Sequence, residues 1–221
     1  MKKYKLSPTS LSLMRECPRC FWLTQNKIWK RPRGIFPSLP SGIDEILKSH
    51  FNKYVGKGLP PELKKERFRG FTLYPHRRQL KIWQDVWQGI SYTDENGNTL
   101  KGAIDNLLIK DNKLVVIDYK TKGFAVKDDS AKYYQDQLDI YNFLFRKNNI
   151  PTHDYSFLLF YVPKLIDSHG KFIFDTTIVR VKIDIKNAED IFKKAIKLLK
   201  GPCPRKKCEW CEFVPNQEKL F

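Results

Sequence analysis

The sequence predicts an α/β domain in which a helix, three strands, a second helix and a further strand follow one another. Three observations carry this. Apolar runs at 104–109 and 114–117 flank Asp111-Asn112-Lys113, a turn signal, so they read as neighbouring strands of a hairpin. Residues 131–147, with Tyr134, Gln137, Leu138 and Tyr141, read as a helix. Residues 155–162 are apolar on both faces, as a buried central strand should be.

Each element has its own local reason. Ser7-Pro8-Thr9-Ser10 is a helix entry, and a short helix with Leu11, Leu13 and Met14 runs to Cys17-Pro18-Arg19-Cys20. Residues 30–41 are basic and proline-rich, which predicts a loop. Residues 42–55 place Ile43, Ile46, Leu47, Phe51, Tyr54 and Val55 at helical spacing, with Asp44 outside that stripe. A loop with a short helix after Pro60-Pro61 covers 56–75. A helix at 76–88 follows, with Ile82, Trp83, Val86 and Trp87 on one side. Strands are expected at 89–93, 99–109 and 113–120, the first two joined by Asn96-Gly97-Asn98. After a loop at 121–130 and the helix at 131–147, strands at 155–162 and 171–183 and a basic amphipathic helix at 188–199 complete the chain. No internal repeat or low-complexity stretch interrupts it.

The chemistry concentrates at 102–141. Neighbouring strands bring Asp105 and Asp118 together, and two-residue alternation puts Asp118 and Lys120 on one face. Two adjacent carboxylates repel, and one tends to hold a proton. A divalent cation removes that conflict. Mg²⁺ takes oxygen ligands, so Asp105, Asp118 and a backbone carbonyl, that of Tyr119, suit it. Lys120 would orient the attacking water or stabilise charge on a phosphate. Such a layout suits metal-assisted hydrolysis of a phosphodiester.

Gly102-Ala-Ile-Asp105, Asp118-Tyr-Lys120 and Gln137-Leu-Asp-Ile-Tyr141 together resemble the PD-(D/E)XK nuclease superfamily, in its RecB-like branch. The resemblance implies an αβββαβ restriction-endonuclease-like core at about 41–165 of a single domain spanning 1–221, with N- and C-terminal extensions. It implies catalytic roles for Asp105, Asp118, Lys120, Gln137 and Tyr141, and Mg²⁺ or Mn²⁺ as cofactor. The branch often has a metal-binding histidine on the first helix. Here Asp44 aligns with it, and Lys48 stands where a glutamate is usual; His50 competes with Asp44 for the role. Lys122 and Lys127, in the loop beside the site, could meet phosphates. The implied activity is exonucleolytic, on single strands or DNA ends, in repair, recombination or CRISPR adaptation. A binding module of the same fold that has lost cleavage is the alternative.

Five cysteines sit only at the two ends. Cys17-x-x-Cys20 and Cys208-x-x-Cys211 have metal-ligand spacing, 188 residues apart. Zn²⁺ suits such a set. The resemblance implies instead a [4Fe-4S] cluster held by one N-terminal and three C-terminal cysteines, which would recruit Cys203 with Cys208 and Cys211. Either way the ends 1–30 and 200–221 are expected to meet, with Phe21, Trp22, Trp210 and Phe213 as shielding neighbours.

Composition bounds the partners. With 41 Lys+Arg against 24 Asp+Glu the net charge is +17, which favours a polyanion, nucleic acid first and an anionic membrane surface second. No apolar run approaches the ~20 residues of a membrane span. The first residues are basic without a hydrophobic stretch after them, so an intracellular location is expected. Nothing in the sequence names a protein partner.

Overall fold

The structure is a computed structural model, and it describes residues 2–32, 34 and 37–213. Residues 33, 35 and 36 of the expected loop and the side chain of Phe213 lie outside the described residues, as does 214–221. The elements are β1 (Lys5–Leu6), α1 (Pro8–Glu16), α2 (Pro18–Gln25), α3 (Ser38–Asn52), β2 (Thr72–Leu73), α4 (Arg77–Gln84), β3 (Ile90–Thr93), β4 (Thr99–Gly102), β5 (Asn106–Lys110), β6 (Lys113–Thr121), α5 (Gln135–Lys147), β7 (Tyr155–Ile166), β8 (Phe172–Lys182) and α6 (Ile185–Lys200).

Five strands form the main sheet in the order β2-β5-β6-β7-β8. β5 and β6 make the expected hairpin, with Asp111 and Asn112 in the left-handed region at φ 47° and 58°. β6 and β7 are parallel, and α5 is the crossover between them. Helices cover both faces. Leu47 and Phe51 of α3 pack on Leu108, Val115, Ile117 and Tyr119. On the other face Leu107, Leu114 and Val116 pack with Leu138, Ile140 and Leu144 of α5 and with Ile191 and Ala195 of α6. β6 therefore reads as a continuous apolar run until it reaches Asp118.

The largest departure from the expected layout lies at 99–109. That stretch is two strands in two sheets. β4 pairs with β3 and, in parallel, with β1 in a separate three-stranded sheet, while β5 belongs to the main one. Residues 103–105 cross between them. The crossing is fixed at three points. A Cβ on Gly102 would lie 2.8 Å from the ring of Tyr141, so the backbone passes where only glycine fits. Ile104 N–H donates to the Trp83 carbonyl at 3.0 Å, and Gln84 Nε2 donates to the Asp105 carbonyl at 2.6 Å. The three core strands are thus β2, β5 and β6. β2 falls where a loop was expected, and 89–93 joins the second sheet.

Other boundaries moved for simpler reasons. α3 starts at Ser38, because Pro40 in its first turn removes only an N–H that has no intrahelical acceptor. α4 stops at Gln84, so Leu80 and Trp83 are buried while Val86 and Trp87 lie beyond its end, exposed. The first turn of the helix expected at 131–147 is a 3-10 turn, Ser130–Tyr134. Residues 171–183 form a single strand that pairs with β7 as far as Ile166.

Candidate active site and a four-cysteine centre

β6 outruns β5. The last registered pair is Asn106 with Ile117, so Asp118 to Thr121 pair with β7 on one side only. Asp105 fills the vacated edge: its Oδ2 accepts the Tyr119 N–H at 2.8 Å. In an extended strand a residue's N–H and C=O face the same neighbour, so the Tyr119 carbonyl points to that edge too. The Tyr119 ring goes to the opposite face of the sheet from Asp118, against Phe51 with ring centroids 4.5 Å apart.

Asp118 and Lys120 share the face toward α5. Lys120 Nζ lies 2.6 Å from Asp118 Oδ2, a close ion pair. On the other oxygen, Gln137 Nε2 donates to Asp118 Oδ1 at 3.3 Å and to the Tyr141 hydroxyl oxygen at 2.8 Å. Gln137 and Tyr141 are one turn apart on α5, which explains their four-residue spacing. Tyr141 in turn lies over Gly102, so the glycine before Asp105 and the tyrosine of α5 are two sides of one contact.

From α3, Lys48 Nζ reaches Asp44 Oδ2 at 2.8 Å and Asp105 Oδ1 at 3.2 Å. Asp44, Asp105, Asp118, Tyr119, Lys120 and Gln137 all line one open cavity of about 360 Å³. His50 is placed elsewhere: its Nε2 pairs with Glu62, which also accepts from the Tyr161 hydroxyl. Lys122 Nζ donates to Ser130 Oγ at 2.7 Å, which folds the 121–130 loop back on itself, while Lys127 is exposed.

Sequence reasoning gave Lys48 no role of its own and missed Gln84 altogether. For Lys48 a signal existed, its position one turn after Asp44 on the same helix face. Gln84 offered none, because its contact depends on where α4 ends.

The electrostatics follow from burial. Asp118 is 1 % exposed, and burial, with the Asp105 charge beside it, pushes its carboxyl up to about 7 against the pull of Lys120. Asp105 is raised in the same direction by burial, opposed chiefly by Lys48. Burial works against both ammoniums, but their carboxylate partners outweigh it and hold Lys48 and Lys120 above the usual lysine range. The Lys120 ammonium also lies 4.7 Å from the centre of the Tyr134 ring, a cation–π contact that further favours its charge.

A model of the PD-(D/E)XK nuclease superfamily matches residues 42–215, most of the chain, including Asp44, Asp105, Asp118, Lys120 and Gln137 of this cavity. The chain belongs to the PD-(D/E)XK nuclease superfamily. No curated protein matches the chain. PD-(D/E)XK nucleases use divalent metals, and the residues here fit one. Asp118 Oδ2 is buried and has the Lys120 ammonium as its one close partner among the described residues, so a carboxylate oxygen with more than one acceptor site keeps room for a ligand bond. Asp105 and the Tyr119 carbonyl face the same vacated edge.

A second cluster lies where the chain ends meet. Cys17 caps the start of α2. Beyond α6 the backbone is tied to α2 by Arg19 Nη1 donating to the Pro204 carbonyl and Trp22 Nε1 donating to the Gly201 carbonyl. These contacts bring Cys17, Cys20, Cys208 and Cys211 together, all four sulfurs within 4.8 Å of one another. Cys203 is buried nearby, with its thiol toward the Pro204 carbonyl at 3.8 Å. Leu13, Trp22 and Trp29 pack around the group, whereas Phe21 belongs to the main core and Trp210 is 44 % exposed. Among the described residues no helix is long and apolar enough to cross a membrane.

Proposed function

We propose that this chain is a deoxyribonuclease that hydrolyses phosphodiester bonds with Mg²⁺ or Mn²⁺ held by Asp105, Asp118 and the Tyr119 carbonyl, with Asp44 as a further acidic group. The observation that carries the reading is the Asp105–Asp118–Lys120 constellation at the open end of β6, lining one open cavity. Bound there, the metal supplies Lewis-acid polarisation of a phosphoryl oxygen and a nucleophilic water at neutral pH.

The chain's own residues do the rest. Lys120 stays protonated, so it acts as a cation: it orients the attacking water and offsets charge that builds on the phosphate. Gln137 holds the Asp118 carboxylate in place through Oδ1, and Tyr141 holds Gln137. Lys127, and Lys122 if Ser130 releases it, extend the positive surface toward the substrate backbone. The +17 net charge draws a polyanion to the protein. Resemblance to the RecB-like branch adds the finer expectation of exonuclease action on single strands or ends, in repair, recombination or CRISPR adaptation.

One observation favours a second reading, a binding module without cleavage. Lys48 already neutralises Asp44 and Asp105, as an internal cation would. One experiment separates the two. Purified protein is incubated with end-labelled single- and double-stranded DNA in Mg²⁺, Mn²⁺ or EDTA. Cleavage that EDTA abolishes supports the nuclease. Retained binding without cleavage under either metal supports the module.

A further inference from the structure

The four-cysteine centre plays no part in the hydrolysis proposed above, and its geometry disagrees with the cluster that the RecB-like resemblance implies. A [4Fe-4S] cluster gives each thiolate its own iron. The four sulfurs then stand off around a core of eight atoms and cannot approach one another closely. Four thiolates on one tetrahedral ion behave differently. With metal–sulfur bonds of about 2.3 Å, neighbouring sulfurs sit about 3.8 Å apart.

The observed separations are those of the second case. Cys20 Sγ and Cys208 Sγ are 3.5 Å apart, Cys208 Sγ and Cys211 Sγ 3.8 Å, and Cys17 Sγ and Cys211 Sγ 4.0 Å. The remaining pairs are within 4.8 Å. The ligand set disagrees as well. Two cysteines come from each end of the chain, and Cys203, needed for a set of one plus three, is outside the group.

We propose that Cys17, Cys20, Cys208 and Cys211 bind a single structural Zn²⁺ ion, and that Cys203 is not a ligand. The surroundings suit a closed site of this kind. The Cys20 N–H donates to Cys17 Sγ at 3.4 Å, and the Cys208 N–H donates to Cys211 Sγ at 3.2 Å, so backbone amides stabilise thiolate charge on both strands of the clamp. Arg31 adds a cation, with Nη2 directed at Cys208 Sγ at 3.8 Å. Four thiolates fill a tetrahedral ion and leave no open coordination position for a substrate, and three of the four cysteines are buried. The ion joins α2 to the segment after α6, so it clamps the helix layer behind the main sheet and contributes to folding rather than to chemistry.

The test uses the full chain, purified both aerobically and under anaerobic conditions with iron and sulfide supplied. Metal analysis should find one zinc per chain in both preparations, with no absorbance near ~400 nm. Replacement by Co²⁺ should give the intense visible bands of a tetrahedral thiolate site. Cys20→Ser and Cys208→Ser should each lose the zinc and lower Tm by on the order of 10 °C, whereas Cys203→Ser should keep both zinc and Tm. Should the ligand variants fail to fold, the metal content and cobalt spectrum of the wild type still decide. Iron bound at one or more per chain, loss of zinc in Cys203→Ser, or a metal-free wild type with the same Tm would each overturn the proposal.

Discussion

Asp105 and Asp118 line an open cavity and each already touches an ammonium, whereas Cys17, Cys20 and Cys211 are buried and touch one another. Both are clusters of like groups that repel when charged. The fold resolves the two conflicts differently. At the carboxylate end it uses Lys48, Lys120 and raised proton affinity, so that site is stable empty and can exchange its ligand. At the thiolate end burial raises the proton affinity of Cys20 and Cys211, and Arg31 and backbone amides are at hand to favour thiolates once an ion displaces those protons. Hard oxygen ligands facing solvent suit an exchangeable Mg²⁺ or Mn²⁺; soft, enclosed sulfurs suit a permanent one.

The two sites should differ most in activity. Asp118→Ala, Lys120→Ala and Asp105→Ala should each lower metal-dependent DNA cleavage by at least ~10²-fold, the scale of losing one charge-stabilising group, with Tm little lowered. Wild-type turnover in Lys120→Ala would remove it from the mechanism. Cys208→Ser, assayed on whatever fraction folds, should keep its turnover per folded molecule.

Salt tests the carboxylate side alone. If about four phosphates of a single strand are neutralised, log K falls with log salt at a slope near −3, so raising salt from ~50 to ~200 mM weakens binding about 60-fold. Fluorescence anisotropy with labelled DNA measures it. A flat response would mean that the net positive charge is only a solvated surface.

At the carboxylate end protons should compete with the metal in a window near neutral pH. With its carboxyl pushed up to about 7, Asp118 carries a proton below that pH, and a cation must displace it. Mn²⁺ affinity at the cavity should fall roughly tenfold per pH unit below ~7 and level off above it, as titration calorimetry would read. An affinity constant from pH 5.5 to 8 would contradict the assignment of Asp118 as a ligand.

Smallest is the effect of Lys48. Removing its charge in Lys48→Met should tighten Mn²⁺ binding a few-fold, because a water-screened ammonium about 4 Å away repels a cation by about 1 kcal/mol per unit charge, part of which is offset as the unpaired Asp105 takes up protons more readily. Weaker binding in Lys48→Met would show instead that Lys48 organises Asp44 and Asp105 for the metal.

Much of this was legible in the residues. The β5–β6 hairpin, the buried β7 and the helix bearing Gln137 and Tyr141 follow from patterns a few residues long, and Asp118-Tyr119-Lys120 follows from strand alternation. The crossing at 103–105 did not, because Ile104 continues an apolar pattern that looks like one strand. What holds the chain there is Trp83 and Gln84, about twenty positions earlier, and Tyr141, nearly forty positions later. β2 escaped because two residues carry no periodicity. Asp44 and Lys48 were legible as helix neighbours, but their meeting with Asp105 depends on how α3 lies across β6. The two cysteine pairs announced themselves by spacing; only the folded distances separate one ion from a cluster.

The vacated edge of β6 has one more consequence. An unpaired strand edge in the middle of a sheet is normally an invitation to a foreign strand, which adds by backbone hydrogen bonding and can seed aggregation. Here the free Tyr119 N–H is already taken by Asp105, and the groups beyond it are carboxylates and an ammonium. An incoming peptide would meet charge where it needs amide partners. The same acidic residues that would hold a cation thus also keep the gap from being zipped shut, so the opening is held for a small oxyanion and its counter-ion.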